Sequence, residues 1–210
     1  MNKTQVKLIE AAEREFAEKG FHGASIRDIT SRAGANVASV NYHFGSKETL
    51  FIEMIRYRLE PLNTLRIGML DTAVAKAGPR PLRIKRIVDI LVRPMVESLV
   101  GGTHGEYFMR AMGRGMAEET AFMQRLYKDV LATLVTRFRK EMRRTLSDLP
   151  ETVTITCFTY LRSTLSGVLQ IRKNNVVLES GIQFPDADTM IVYITGGIEA
   201  IVRNYRTKNK

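Results

Sequence analysis

Small and polar side chains able to hydrogen-bond to a nucleic acid are concentrated between positions 36 and 47 of this 210-residue chain. Asn41 can pair bidentately with an adenine, and Ser39 can donate or accept at a base edge. Ala38 is small enough to let the backbone approach the bases. Phosphate contacts are expected from three further side chains, those of Tyr42, His43 and Lys47. This pattern predicts a surface that contacts a DNA duplex.

Two short helices and a tight turn are expected to position these side chains. Ser25 can cap the first helix, and Asp28 at its third position can close a capping box. Apolar residues follow at helical spacing, namely Ile26, Ile29 and Ala33. Gly34 stands where a helix end favours a positive φ, and Asn36 can cap the next helix after a three-residue turn. The order predicts a helix-turn-helix.

The second helix has two unlike faces. Its inward stripe is expected to consist of Val37, Val40 and Phe44, one helical turn apart. Steps of 100° then place on the opposite face Ala38, Ser39, Tyr42 and His43, with Asn41 at the flank. Gly45 is expected to end this helix, and Ser46 can cap a third helix whose first residue is Lys47. The polar face is therefore predicted to be free to enter a groove of DNA.

At these residues the chain resembles the TetR family of one-component transcriptional regulators. The resemblance extends from Thr4 to Phe51 and includes EREFAEKGFHGASIRDITSRAG and VNYHFGSKETLF. It implies a three-helix DNA-binding domain, residues 1–47, and an all-helical effector-binding and dimerisation domain, residues 48–210. Many members place a second aromatic residue where this chain has Asn41. The DNA contacts implied by position are Ser25, Arg27, Asn36, Val37, Ala38, Ser39, Asn41, Tyr42, His43 and Lys47.

The remaining sequence predicts an all-α protein of about nine helices with no competing strand pattern. A further helix at the N-terminus, before the helix-turn-helix, is expected to be capped by Thr4 and to end at Gly20. Further helices are expected over Lys47–Ala77, Leu82–Val100, Glu106–Met112, Glu118–Thr145, Glu151–Ile171, and from a cap at Asp186 or Asp188 to Tyr205. Pro61 is expected to kink or split the Lys47–Ala77 helix. That helix is either a lever carrying a ligand signal to the DNA-binding helices or a passive connector.

The last two helices are predicted to form a homodimer interface because each is apolar over more than one face. The residues concerned are Val153, Ile155, Phe158, Leu161, Leu165, Val168, Leu169, Met190, Ile191, Ile194, Ile198, Ile201 and Val202. Small residues that permit close helix approach include Gly196 and Gly197. A twofold operator would require two reading helices about 34 Å apart, which also favours a dimer.

A small-molecule effector site is a further expectation in the middle helices, which are rich in methionine and aromatic residues. The candidate side chains are Met95, Tyr107, Phe108, Arg110, Met112, Phe122, Met123 and Tyr127. Such stripes also occur as plain core, and that alternative stays open here. The basic, Met-rich second part is loosely similar to regulators that respond to fatty acids or their thioesters. An acyl-type anionic ligand would fit this composition.

Composition and motif content favour a cytoplasmic binding protein over an enzyme. The net charge is +10, of which seven basic and five acidic residues through position 47 supply only +2. Cys157 is the only cysteine and is expected to be a buried thiol. The three histidines show no metal-ligand spacing, and no phosphate- or dinucleotide-binding fingerprint occurs. We therefore expect no cofactor, no metal and no membrane partner.

Three functions remain compatible with the sequence. The favoured one is a repressor that binds a palindromic operator as a homodimer and responds to a small molecule. A second is an architectural or division-associated DNA-binding protein with no effector. A third is an interaction protein whose basic helices meet an acidic partner or a membrane surface.

Overall fold

A computed structural model describes residues 1–100, 105, 107–108, 110–112, 124–173 and 186–208. Its α-helices are α1 (Lys3–Gly23), α2 (Ile26–Ala33), α3 (Val37–Phe44), α4 (Lys47–Ala77), α5 (Ile84–Val100), α6 (Ala132–Thr145), α7 (Glu151–Lys173) and α8 (Ala187–Lys208). A π-helical turn, Tyr127–Leu131, precedes α6. All regular structure in these described ranges is helical, which confirms the all-α prediction and its count of about nine. Residues 118–123 of the predicted Glu118–Thr145 helix lie outside the described residues, as do Glu106 and Met109 of the predicted Glu106–Met112 helix.

The chain forms two compact units whose division falls inside α4. One unit contains Met1–Pro61 and the described residues between 99 and 131, and the other contains Leu62–Ser98 together with α6, α8 and nearly all of α7. The core of the second unit is apolar and includes fully buried Ile87 and Phe138. Cys157 belongs to this core, as predicted, and burial raises the pKa of its thiol. The predicted domain boundary after residue 47 stays a prediction.

The start of α1 differs from the prediction. Asn2, not Thr4, is the cap, and its side-chain oxygen accepts a hydrogen bond from the Gln5 N–H at 2.9 Å. The Gln5 side chain accepts in return from the Asn2 N–H at 2.9 Å. This reciprocal pair satisfies two N–H groups at once, which explains why the helix begins earlier. Gly20 has the non-helical φ of 76° that its predicted role requires, and helical turns resume up to Gly23.

The connecting helix α4 has the predicted bounds, Lys47–Ala77. It is continuous over 31 residues through Pro61, so Pro61 does not split it, and the alternative that Pro61 kinks it stays a prediction. Proline removes one N–H but fits helical φ, and a long helix packed on both sides of it can tolerate that loss. Gly78, with φ 60°, ends the helix at the predicted place. None of the helices that the structure describes is both long and apolar enough to cross a membrane.

Candidate nucleic-acid interface

Local hydrogen bonds hold the α2–turn–α3 segment in shape. Ser25 caps α2, its hydroxyl oxygen accepting from the Asp28 N–H at 3.1 Å. Gly34 adopts the left-handed conformation, φ 62° and ψ 38°, that turns the chain after α2. Asn36 caps α3, its side-chain oxygen accepting from the Ser39 N–H at 2.8 Å. These caps and the three-residue turn confirm the predicted helix-turn-helix geometry.

A network of ion pairs fixes α2 against α1. The buried carboxylate of Glu15 accepts from Arg32 at 2.7 Å and lies 2.8 Å from the Lys19 ammonium. Lys19 also contacts Asp28 at 2.9 Å. The hydrogen bonds that Lys19 donates to Glu15 and then to Asp28 raise the pKa of Lys19, while those that Asp28 accepts from Lys19 and then from Ser25 lower the pKa of the Asp28 carboxyl. Together with the contact of Arg32 to Glu18 at 2.8 Å, these ion pairs join α1 to α2.

Aromatic packing supports the segment from behind. The Phe16 ring lies 4.8 Å from Phe51 and 5.9 Å from Phe21, measured between centroids. Val40 and Phe44 of α3 are buried, as predicted from their spacing. Burial of these side chains leaves the opposite side of α3 facing solvent.

The exposed face of α3 is centred on Tyr42, whose side chain is 85% exposed. Ala38 and Asn41 are also exposed. Val37 was expected in the inward stripe and is instead 42% exposed. Periodicity gives the direction of a side chain but does not supply a neighbour to cover it, and the first turn of α3 is solvated. The solvated surface thus includes Val37 in addition to the polar residues.

Two predicted contact residues are less accessible than expected. Ser39 is half-buried, and its hydroxyl donates to the Asn36 side-chain oxygen at 2.8 Å. His43 is also half-buried, with its ring centroid 4.9 Å from that of Tyr42 in an edge-on arrangement. Both residues therefore have structural contacts within the segment, and Tyr42, Ala38 and Asn41 present the larger free surface.

Lys47 is the first residue of α4, next to the Ser46 cap. Its ammonium donates to the Ala24 carbonyl oxygen at 3.0 Å and lies 4.7 Å from the centroid of the Phe21 ring. An ammonium has three N–H donors, so this bond leaves two for a phosphate. Ser25 and Arg27, at the start of α2, are exposed. These positions are compatible with the predicted backbone contacts around the reading helix.

The predicted effector residues do not all lie in one unit. Phe108 and Met112 are buried in the first unit, and Met95 is buried in the second. Tyr107 and Arg110 are half-buried. The guanidinium carbon of Arg14 lies over the Tyr107 ring, 5.7 Å from its centroid. Tyr127 is 41% exposed. Phe122 and Met123 lie outside the described residues. Within the described ranges no cluster of His, Cys, Asp or Glu could hold a metal ion.

The predicted dimer residues divide into two groups. Met190, Ile191, Ile194, Ile198 and Val202 are buried within a single chain, so their apolar character does not require a partner. Among the predicted residues Ile155 is exposed, and three residues of α7 and α8 that were not predicted are exposed as well. We call these four the α7–α8 patch: Ile155, Tyr160, Val192 and Tyr193. A groove with the small residues Thr164, Gly196 and Gly197 lies beside the last three. Sequence reasoning missed the two tyrosines because tyrosine is common on ordinary surfaces.

Arg66 is another residue that the sequence did not single out. It is only 4% exposed, on the inner stripe of α4 with Leu62 and Leu70. Burial lowers the pKa of its guanidinium to about 10. The available signal was an arginine one helical turn from leucines on both sides within an apolar stripe.

These features define a helix-turn-helix protein with a second helical unit. Residues 8–54 match the family described as bacterial regulatory proteins, tetR family, and residues 89–197 match the tetracyclin repressor-like C-terminal domain. The second match covers more than half of the chain. The chain therefore belongs to the TetR family of bacterial regulatory proteins, whose members are regulators rather than enzymes.

Curated relatives match mainly at the N-terminal end. The transcriptional repressor AcnR of Corynebacterium glutamicum is 38% identical over 50 residues, 24% of this chain and 27% of AcnR. The transcriptional repressor KstR2 of Mycobacterium tuberculosis is 38% identical over 95 residues, 45% of this chain and 38% of KstR2. The chain thus spans about a quarter to two fifths of the length of these relatives.

Solved structures share the fold over nearly the whole chain. FadR of Bacillus subtilis, in complex with stearoyl-CoA, has a TM-score of 0.65 at 13% identity, covering 94% of this chain and 97% of that chain. PfmR of Thermus thermophilus has a TM-score of 0.59 at 17% identity, covering 97% of each chain. At such identities the likeness establishes the fold alone.

Proposed function

We propose that this protein is a transcriptional repressor that binds a palindromic operator as a homodimer and responds to a small-molecule effector. The observation that carries the proposal is the exposed face of α3, with Tyr42 85% exposed over a buried Val40 and Phe44. Membership in a family of regulatory proteins supports it, as do relatives that are named repressors. The second match, to a tetracyclin repressor-like C-terminal domain, supports a responsive second unit.

The contacts of the reading helix divide by chemistry. Asn41 and Ala38 are exposed and can meet base edges, where an amide pairs bidentately with adenine. Tyr42, Arg27 and Lys47 are suited to phosphates, which set the orientation of the helix without reading sequence. Specificity should therefore depend on Asn41 and Ala38, and salt-dependent affinity on the other three.

The α7–α8 patch is the proposed dimer interface. Val192 is 64% exposed, Tyr193 70% and Tyr160 59%, on two neighbouring long helices beside a groove with Gly196 and Gly197. Grouped apolar side chains of this size on one face are typical of an association surface. An interface of α7 and α8 with their twofold-related copies would form an isologous four-helix contact.

The effector is proposed to be an acyl-type compound with an anionic group. The FadR structure contains stearoyl-CoA, which is a property of that protein and here only suggests a ligand class to test. The methionine-rich composition of the middle of the chain suits an adaptable apolar site.

The direct test is gel-shift titration with fragments of the upstream region of the protein's own gene. We expect a complex that persists in excess unrelated duplex and contains two chains per duplex. If unrelated duplex displaces the fragment at equal mass and salt alone sets the affinity, the protein binds acidic polymers without reading them. A specific complex that ignores every effector class would instead favour an architectural role.

A further inference from the structure

Arg66 is a buried cation that has no carboxylate counter-ion among the described residues. Its side chain lies within the second unit, 4% exposed, between Leu62 and Leu70 on the inner stripe of α4. The one hydrogen bond it makes with a described residue is a long one, from Nη1 to the side-chain oxygen of Asn63 at 3.4 Å. Nε and Nη2 are buried and have no hydrogen-bond partner among the described residues. A buried guanidinium in that state is strongly unfavourable unless something else satisfies it.

Two other arginines, whose side chains are partly buried, have carboxylate partners. Arg58, also on α4, contacts the buried Glu13 carboxylate at 2.6 Å. Arg93 of α5 contacts Asp89 at 2.7 Å and Asp188 at 2.6 Å. Within the part of the chain that the structure describes, Arg66 has no carboxylate oxygen at ion-pair distance. Its own helix supplies none either, because Glu60 and Asp71 lie more than one turn away in sequence.

The free donors of Arg66 have a defined geometry. Nε and Nη2 lie on the same edge of the planar guanidinium, and their two parallel N–H bonds match the two oxygens of a carboxylate or phosphate. Asn63, 7% exposed, occupies the other side of the fork through Nη1. Leu62 and Leu70 make the helix surface on either side apolar. The chemistry therefore suits an oxyanion attached to an apolar body.

We propose that Arg66, held by Asn63, is the anchor for the carboxylate or phosphate group of the effector, which binds along the inner stripe of α4. This inference rests on the proposed function, since it assigns a residue to the effector site of that function. It also explains why an arginine occupies a leucine-flanked position. The ligand supplies the counter-charge, so ligand binding and burial of Arg66 stabilise each other.

The test compares Arg66→Met, which keeps length and apolar volume, with Arg83→Met at an exposed position of the second unit. Thermal unfolding and calorimetric titration are measured with decanoate, decyl phosphate and decanol at matched ionic strength. We expect the wild type and Arg83→Met to bind one or both anions and to discriminate against decanol. Arg66→Met should lose about 10- to 100-fold in anion affinity, the usual effect of removing a charged hydrogen-bond pair. Comparing the affinity of wild type for decanoate with its affinity for decyl phosphate identifies which oxyanion is preferred.

The ligand-free proteins give an independent readout. Because Met replaces an uncompensated charge, Arg66→Met should unfold at the same or a higher temperature than wild type. The proposal is overturned if neither anion stabilises wild type, if Arg66→Met binds them equally well, or if the ligand-free variant unfolds at a clearly lower temperature. Operator binding is measured on the ligand-free preparations: absence of sequence-specific DNA binding by ligand-free wild type would contradict the proposed function, whereas the outcomes above concern Arg66 alone.

Discussion

The Lys47 ammonium donates a hydrogen bond to the Ala24 carbonyl oxygen at 3.0 Å, joining the start of α4 to the residue that precedes the α2 cap. The same ammonium lies 4.7 Å from the centroid of the Phe21 ring. The predicted phosphate-binding lysine thus also braces the segment that carries the reading helix. Its substitution should affect both stability and DNA affinity.

We expect Lys47→Ala to weaken binding to all duplexes alike and to reduce the salt slope by about 0.9 for each lysine removed. It should also lower the free energy of unfolding by about 1 kcal/mol through loss of the bond to Ala24. Fluorescence anisotropy from 50 to 200 mM salt, roughly the range over which counterion release dominates, measures the first effect. Unchanged binding at every salt concentration would remove Lys47 from the contact set.

Tyr193→Asp should dissociate the dimer. A carboxylate placed in the α7–α8 patch must be desolvated when two copies meet, which costs about 3 kcal/mol or roughly 100-fold in the dimer dissociation constant. The matched control is Tyr42→Asp, since Tyr42 is at least as exposed but lies on α3. Sedimentation equilibrium should give a monomer for the first variant and a dimer for the second. A dimeric Tyr193→Asp protein would place the interface elsewhere.

The ion pairs between α1 and α2 should make stability depend on pH in acid. Lys19, followed by Ser25, lowers the pKa of Asp28 in the folded state. A lowered carboxyl pKa contributes stability that is present above the unfolded value, about 3.9, and is lost as pH falls through the folded value. Asp28→Asn should therefore reduce stability at pH 7, and the difference from wild type should shrink in strong acid.

Urea denaturation at a series of pH values measures this effect, and a Lys19→Met background provides its control. With Lys19 removed, the main cause of the Asp28 shift is absent, and Asp28→Asn should have less effect. An equal effect in both backgrounds would show that the contact between Lys19 and Asp28 does not contribute to stability.

Two glycines with open space around their Cα atoms should respond in opposite directions to alanine. Gly34 has φ 62°, and a Cβ added there would meet nothing within 4 Å, so its penalty is backbone strain alone, about 1–2 kcal/mol. Gly68, inside α4 and equally open, should gain about 0.5–1 kcal/mol from the same change. Urea denaturation compares the two. Stabilisation by Gly34→Ala would mean that the turn after α2 is not left-handed in solution.

Local features of the fold were predictable from the sequence, whereas contacts between residues distant in sequence were not. Ser25, Asn36 and Ser46 act as caps because the hydrogen bonds of a cap join residues two or three apart. The burial of Glu15 depends on Arg32, 17 residues away, and no periodicity identifies that pairing. The exposure of Val37 was missed for the same reason, because the neighbouring elements decide which apolar residue is covered.

The candidate sites divide in the same way. The exposed face of α3 follows from a helical period and two buried residues, so its position could be predicted. The α7–α8 patch and Arg66 could be identified only from the structure, because the packing of the long helices determines which side chains are covered. Met190 is buried in the core, for example, while Tyr193 is exposed. An arginine in an apolar stripe indicates a binding site only when the structure shows that its buried head group lacks a partner among the described residues.

The central claim is that the exposed face of α3 reads a duplex and that a second subunit repeats the reading. Selection of bound sequences from a random duplex pool tests it most directly, with wild type and Asn41→Ala in parallel. Wild type should enrich an inverted repeat whose half-sites are centred about one helical turn, roughly 34 Å, apart. Asn41→Ala should enrich the same repeat with relaxed preference at one base pair per half-site, a loss of about 1–3 kcal/mol of discrimination. A pool that shows no enrichment with wild type, or an enriched site without twofold symmetry, would contradict the account.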